Sequence, residues 1–308
     1  MTDSRSEPLV WLPFPPDELG DLPSGLRYEH FDADGDLPAS ADEVELYVLP
    51  YRFRPADGEV LAQLPKLKVI QTMSAGIEHI ASYVPDGVTL ANGRGIHDTS
   101  TAELTLTLIL ASLRGIPEFV RDQERARWHP VTRESLADKQ VLIVGYGQIG
   151  EAIEARILPF EARVSRVARS ARDGVHAITE LPDLLPQADV VVLIVPGTEE
   201  TTGLFDAEML AHLKEGALLV NIARGPVVDT DALLVELTSE RIHAALDVVD
   251  PEPLPEDHPL WHAPNLLIAP HVGGNSSAME PRAHRLVREQ LQRYAAGEPL
   301  ANVVTGSY

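Results

Sequence analysis

The 308 residues contain no cysteine, which removes disulfides, thiolate nucleophiles and Cys-ligated metals together. The expected setting is a reducing one, the cytoplasm. Basic residues are scarce: 25 Lys and Arg stand against 47 Asp and Glu, a formal charge of −22. Such a surface repels nucleic acid and anionic membranes, so neither is expected as a partner. Any site for a small anion must therefore be locally positive. No apolar run approaches the ~18 residues that span a bilayer, and the opening MTDSRSEPLV lacks the apolar stretch of a signal peptide. No G-x-S-x-G nucleophile turn and no P-loop lysine occur.

What is present is enough apolar residue, 44% of the chain, for about two domains. Residues 1–98 alternate short apolar strands (Leu9–Leu12, Glu45–Leu49, Val69–Thr72, Val88–Ala91) with Pro/Gly/Asp-rich turns and a helical stretch at Gly58–Leu64, the pattern of a small α/β domain. Thr101–Leu113 predicts a long buried helix linking two domains. From Gln140 to Gly274 strands fall at Val141–Val144, Arg163–Val167, Val190–Val195, Leu218–Asn221, His243–Leu246 and Leu266–Ile268. They are almost continuously apolar, as parallel strands covered on both faces are. An amphipathic helix over about Ala278–Tyr294 and an extension, Gly297–Val304, come last. Too little chain remains there for a third domain, so this segment is expected to return and complete the first.

Strand 141–144 runs directly into Gly145-Tyr146-Gly147-Gln148-Ile149-Gly150, with a helix predicted over Gln148–Leu158. In that context a G-x-G-x-x-G sequence binds a dinucleotide. The first glycine permits the tight turn, the second admits the pyrophosphate, the third lets helix and strand pack closely, and the helix N-terminus meets the negative charge. An NAD site carries an acidic residue ~20 positions on, for the ribose 2′-hydroxyl. Here Ala168 stands in that place, followed by Arg169 and Ser170. A guanidinium and a hydroxyl suit a 2′-phosphate, so NADP(H) is expected in preference to NAD(H), which remains open.

Three further segments supply reactive groups. Arg224 comes after an apolar strand in a Gly-flanked turn, where it can pair with a carboxylate and polarise an adjacent carbonyl. Glu252 and His271 both come after strands of the same sheet; a carboxylate beside an imidazole stabilises the imidazolium and fixes its orientation. Such a histidine can give a proton to a ketone oxygen and reclaim it in reverse.

These motifs resemble those of the NAD(P)-dependent D-2-hydroxyacid dehydrogenase family, on its glyoxylate/hydroxypyruvate reductase side. The resemblance runs from about Met73 to the end, through Ser74-Ala75-Gly76-Ile77, Ala102-Glu103, the glycine turn, Val195-Pro196 with Thr198 and Thr201, the segments beginning at Asn221 and Asp247, and Pro270–Gly274. It implies two Rossmann-like α/β domains: a parallel-sheet dinucleotide-binding domain (99–274) inserted into a smaller flavodoxin-like substrate domain (1–98 with 275–308). It implies that Arg224 binds the substrate carboxylate and carbonyl, that His271 is the acid/base and that Glu252 is its partner. The Ser74, Ala75 and Gly76 backbone would hold the carboxylate of a small 2-oxo or 2-hydroxy acid. Asp247 and the Ile222–Ala223–Arg224 backbone would lie near the nicotinamide. Val195, Pro196, Thr201, His271, Gly273 and Gly274 would line the cofactor. A homodimer paired through the cofactor domain is also implied. Glu78 departs from the Asp more usual there.

In the first domain Tyr51-Arg52-Phe53-Arg54, Trp11, Arg94 and His97 are candidates to line the substrate pocket. His258 and His262 have helical spacing, but Pro259 intervenes and no carboxylate ligand pattern accompanies them, so no metal site is expected. Asn275-Ser276-Ser277 fits the glycosylation triplet without a secretory context. Formate dehydrogenases resemble the scaffold but carry Gln where Glu252 stands. Phosphite dehydrogenases, which keep a similar relay, and dinucleotide-sensing corepressors stay open as alternatives.

Overall fold

Apolar side chains in adjacent positions of one strand must be covered on both faces, and that requirement shapes the whole chain. The computed structural model describes residues 7–52 and 56–305. In chain order the elements are β1 (Leu9–Leu12), β2 (Arg27–His30), β3 (Val44–Val48), α1 (Ala56–Leu61), β4 (Val69–Gln71), β5 (Thr89–Ala91), α2 (Asp98–Arg114), α3 (Ile116–Glu124), β6 (Gln140–Val144) and α4 (Gln148–Ile157). They continue with β7 (Arg163–Ala168), β8 (His176–Ala177), α5 (Leu181–Leu184), β9 (Val190–Leu193), α6 (Ala207–Ala211), β10 (Leu218–Asn221), α7 (Thr230–Thr238), β11 (His243–Leu246), β12 (Leu266–Ile268) and α8 (Met279–Ala296). The chain divides into two compact units, Met1–His97 with Ser277–Tyr308, and Asp98–Ser276.

The first unit is a parallel five-stranded sheet in the order β2-β1-β3-β4-β5. Its strands feed two cores by simple alternation. Leu9 and Trp11 join Tyr47 and Ile70 on one face; Val10 and Leu12 join Leu46 and Val48 on the other, where α8 contributes Ala283, Val287 and Leu291. Trp11 does not line a pocket, contrary to expectation. It is wholly buried, 4.4 Å from the Phe31 ring and edge-on to Tyr47 at 5.5 Å. A strand-borne indole with odd-numbered apolar neighbours points into the core. The last residues return to the sheet edge: Ala91 bridges Val303, and the Asn92 N–H donates to Asn302 O.

The second unit is a parallel seven-stranded sheet, β12-β11-β10-β9-β6-β7-β8. Val141, Ile143, Val190, Val192 and Val220 pack under α2 and α4. Leu142, Val144, Val191 and Leu193 pack on the opposite face with Phe205 and Leu233. Helices α6 and α7 are each capped by an aspartate: Asp206 Oδ1 accepts from Met209 N at 2.8 Å and Asp229 Oδ1 from Ala232 N at 2.9 Å. Each such cap stabilises by about 1 kcal/mol. Among the described residues, no helix is long and apolar enough to cross a membrane.

Candidate active site

In the second unit the turns after β6, β10, β11 and β12 all leave the carboxyl edge of one sheet, the edge where open parallel sheets bind ligands. After β6, Gly145 adopts φ +107 and a Cβ there would stand 2.4 Å from Ile194 O. Only glycine serves at that position. Its N–H and that of Tyr146 both donate to Val167 O. A Cβ at Gly150 would lie 3.0 Å from Gly145 O, so α4 is packed tightly onto the turn, whereas one at Gly147 would meet nothing within 4 Å. The first helical bond runs from Glu151 N to Gly147 O. The N–H groups of Gln148, Ile149 and Gly150 therefore precede the helix's own bonding and remain for an anion. The open cradle, the tight turn and the donors fit a dinucleotide pyrophosphate. At the end of β7, Ala168 is half-buried, and Arg169 and Ser170 are exposed.

Val195 is buried and Pro196 exposed. Thr201 closes the turn they begin, accepting from Thr198 N at 2.9 Å and donating to Pro196 O at 2.7 Å. After β10, Ile222 N donates to Leu193 O, and the buried Asn221 locks the turn through Arg224. Its Oδ1 accepts from Ala223 N at 3.1 Å, and its Nδ2 donates to Arg224 O at 3.0 Å. The motif contains Asn221, but residue order does not announce its clamping role, which depends on the turn closing over the side chain. Arg224 is half-buried and extended (φ −144, ψ 147), and its Nη1 donates to Ala223 O at 2.8 Å. Behind it a Cβ at Gly225 would come within 1.9 Å of Val249 O, so the Arg224 turn rests directly on the loop that leads from β11 to Glu252.

After β12, His271 has φ +52 and its Nδ1 is ion-paired with Glu252 Oε1. The two side chains are 36% and 39% exposed, open enough to be reached from solvent. The buried Asp247 holds this turn. Oδ1 accepts from Val272 N at 2.8 Å and Oδ2 from Gly273 N at 2.9 Å, while its own O accepts from His271 N at 2.7 Å. Burial nonetheless wins over these bonds and pushes the Asp247 carboxyl above the usual range. Gly273 is buried and Gly274 half-buried. The start of α2 braces the same turn through Ser100 Oγ to Ser276 Oγ, 2.6 Å, and Thr101 Oγ1 to Gly273 O, 3.4 Å. His258 sits elsewhere, its Nδ1 accepting from Leu260 N at the start of a short 3-10 turn.

In the first unit every carbonyl of Ser74, Ala75 and Gly76 is engaged. Ser74 O accepts from Thr72 Oγ1 (2.8 Å) and Gly93 N (2.7 Å), Ala75 O from Asn92 Nδ2 (2.9 Å), and Gly76 O from Ser74 Oγ (2.8 Å). This fixes the peptide planes of the loop. Tyr51, Arg52 and Ser74 share a crevice with Thr72 and His79; no sequence pattern points to His79. Arg52 pairs with Asp34 at 3.0 Å. The Tyr51 ring lies 5.2 Å from that of His97, whose Nε2 meets Met73 O at 3.0 Å, so His97 supports the loop from below. Arg94 is exposed, and Phe53 and Arg54 lie outside the described residues.

The family model for the D-isomer specific 2-hydroxyacid dehydrogenase NAD binding domain matches residues 106–273. Glyoxylate reductase from Thermofilum pendens is 36% identical over 259 residues, 79% of this chain and 76% of that one. Glyoxylate reductase/hydroxypyruvate reductase from Homo sapiens is 34% identical over 248 residues, 76% of each. The solved structure of a D-isomer specific 2-hydroxyacid dehydrogenase from Xanthobacter autotrophicus, in complex with NADPH and MES, aligns with a TM-score of 0.80 at 31% identity, covering 96% of this chain and 97% of that one. The extent of these likenesses shows that the chain belongs to the NAD(P)-dependent D-2-hydroxyacid dehydrogenase family.

Proposed function

We propose that this protein interconverts a small 2-oxo acid and its D-2-hydroxy acid, with NADPH as the preferred reductant. The observation that carries this is the Glu252–His271 ion pair on the same sheet edge as the glycine turn and Arg224. A bound NAD(P)H supplies hydride to the carbonyl carbon. The glycine turn and the first turn of α4 hold its pyrophosphate, with Val195, Pro196, Thr201, Ile222, Ala223, Gly273 and Gly274 around it. Asp247 would hold the carboxamide through the lone pairs its backbone bonds leave. His271 delivers a proton to the carbonyl oxygen, and Glu252 keeps the ring oriented and its charged form stabilised. Arg224 binds the carboxylate and polarises the carbonyl; the fixed 74–76 loop donates N–H groups to the carboxylate, and Tyr51 and Arg52 contact the rest of the substrate.

NADPH is preferred because no carboxylate ends β7 to repel a 2′-phosphate, and Arg169 and Ser170 stand exposed there; the Xanthobacter relative holds NADPH. Absorbance at 340 nm with a panel of 2-oxo acids tests both parts. NADPH oxidation faster than NADH oxidation is the expected result. Faster use of NADH would overturn the cofactor preference alone, and no oxidation with any acid would overturn the reaction.

The same reading includes a second copy of the chain. Helix α3 has no buried residue; Ile116, Val120 and Trp128 are 47%, 50% and 96% exposed beside a groove of about 560 Å³. Within residues 114–133 five arginines outnumber three acidic side chains, in a chain of charge −22. An apolar surface left this exposed, and free of the acidic excess that makes the rest of the molecule repel its own kind, suits pairing between two copies of the chain. Trp128→Asp is expected to convert a dimer to a monomer in analytical ultracentrifugation; a monomeric wild type, or a variant that still pairs, would remove this surface from the interface.

A further inference from the structure

Four arginines, Arg163, Arg166, Arg169 and Arg172, occur at every third position through β7 and the turn after it, and the fold gives the last three different tasks. Arg166 is spent inward. It makes a two-pronged pair with Glu154 of α4, whose side chain is 7% exposed; Nε donates to Oε2 at 2.7 Å and Nη2 to Oε1. That guanidinium holds the Glu154 carboxyl below its usual range. Arg169 is exposed and bonded to nothing among the described residues. Arg172 is also exposed but is held in place. Its backbone is paired with Val175 in both directions, N to O at 3.0 Å and O to N at 2.8 Å. Its Nη2 donates to Tyr146 O at 2.5 Å, inside the glycine turn.

Tyr146 lies at the centre of this arrangement. Its ring is approached by the Arg172 guanidinium at 5.9 Å and by Arg166 at 5.6 Å, both within cation–π range. Its hydroxyl donates to Glu154, and burial together with that carboxylate pushes the phenol up, so it stays a donor. Arg166 Nη1 also reaches Gly174 O, 3.4 Å away, in the Arg172–Val175 turn. Glycine turn, α4, β7 and the 172–175 turn are thus tied into a closed circuit. The circuit leaves one guanidinium fixed beside the pyrophosphate cradle and another, three residues earlier, unattached.

We propose that Arg172 is the principal contact for the 2′-phosphate and that Tyr146 is its positioning residue, Arg169 supplying a second, adaptable charge. A guanidinium already immobilised on a ring and a carbonyl loses less freedom on binding than an extended one. Arg166 is excluded from the role because its charge is neutralised by Glu154. This assignment rests on the preference for NADPH.

Isothermal titration calorimetry of the full chain with 2′,5′-ADP and with ADP tests it without turnover. The wild type is expected to bind 2′,5′-ADP at least about 10-fold more tightly, the scale of one charge-assisted bond. Equal affinities would sink the NADPH preference, and this assignment with it. Given a selective wild type, Arg172→Gln is expected to lower 2′,5′-ADP affinity about 10- to 100-fold with ADP binding unchanged. Tyr146→Leu should lower the same ratio, and Tyr146→Phe, which keeps the ring, should retain it. Selectivity intact in Arg172→Gln would assign the phosphate to Arg169, and selectivity intact in Tyr146→Leu would remove Tyr146 from positioning. Loss of both ligands together in either variant would mark the residue as structural and overturn its role.

Discussion

His271→Asn is expected to lower kcat for 2-oxo acid reduction by about 10²- to 10⁴-fold, the usual contribution of a positioned acid. NADPH affinity measured by fluorescence should stay within about twofold of wild type, since the ring lies outside the pyrophosphate cradle. The His271 backbone is fixed independently of its ring, through the N–H to Asp247 O, so the substitution removes chemistry without unfolding the turn. Glu252→Gln keeps the shape but removes the charge that stabilises the imidazolium. Its loss should be smaller, about 10- to 100-fold, the scale of one charged hydrogen bond. Since Glu252 acts through His271, the double variant should be no slower than His271→Asn alone. Additive losses would mean that the carboxylate has a separate task, and unchanged kcat in His271→Asn would end the histidine's assignment.

The second large effect concerns Arg224. Arg224→Ala is expected to reduce kcat/KM by about 10²- to 10⁴-fold, corresponding to two charge-assisted bonds of about 1.5–3 kcal/mol each. Arg224→Lys should recover little of it. A lysine carries the charge but not the planar fork that meets a carboxylate and a carbonyl oxygen together. The turn itself sharpens the contrast. Asn221 clamps the residue's carbonyl and Gly225 rests on Val249 O, so the backbone cannot shift to carry a shorter or differently shaped head into place. Near-wild-type kcat/KM in Arg224→Lys would show that a point charge suffices and that no bidentate contact is made.

The parts of the fold visible in the sequence are those built from apolar runs between turn residues. Leu9–Leu12, Leu218–Asn221, His243–Leu246 and Leu266–Ile268 coincide with β1, β10, β11 and β12. Strands β2 and β8 leave no such signal because β2 is largely polar and β8 is only two residues long. Arg27-Tyr28-Glu29-His30 needs no continuous apolar run when only one side is paired. Helix α3 is silent for a related reason, since it buries nothing within its own unit. Within the candidate site, the glycine turn and the Glu252–His271 pair are legible because residue type and spacing carry the chemistry. Asn221, Thr201 and Asp247 are legible only as motif letters; that each closes a turn onto backbone N–H groups depends on side chains folding back by a few residues or across strands. Trp11 defeats the sequence reading because a strand's alternation decides which way an indole points, and the adjacent Val10 and Leu12 are equally apolar. Arg172 on Tyr146 is a contact across 26 positions that no local pattern announces.

One consequence of the first unit's construction concerns how the protein is made. The face of its sheet that presents Val10, Leu12, Leu46 and Val48 is covered by α8, and Asn92 and Ala91 are closed by residues 302 and 303. On the ribosome those strands emerge first, and their cover emerges only after the whole of Asp98–Ser276 has been translated. The second unit has all its strands before that moment and can fold as translation proceeds. Until α8 is made the nascent chain therefore carries an uncovered apolar sheet face, and that face is where chaperones would engage it and where an arrested chain would aggregate.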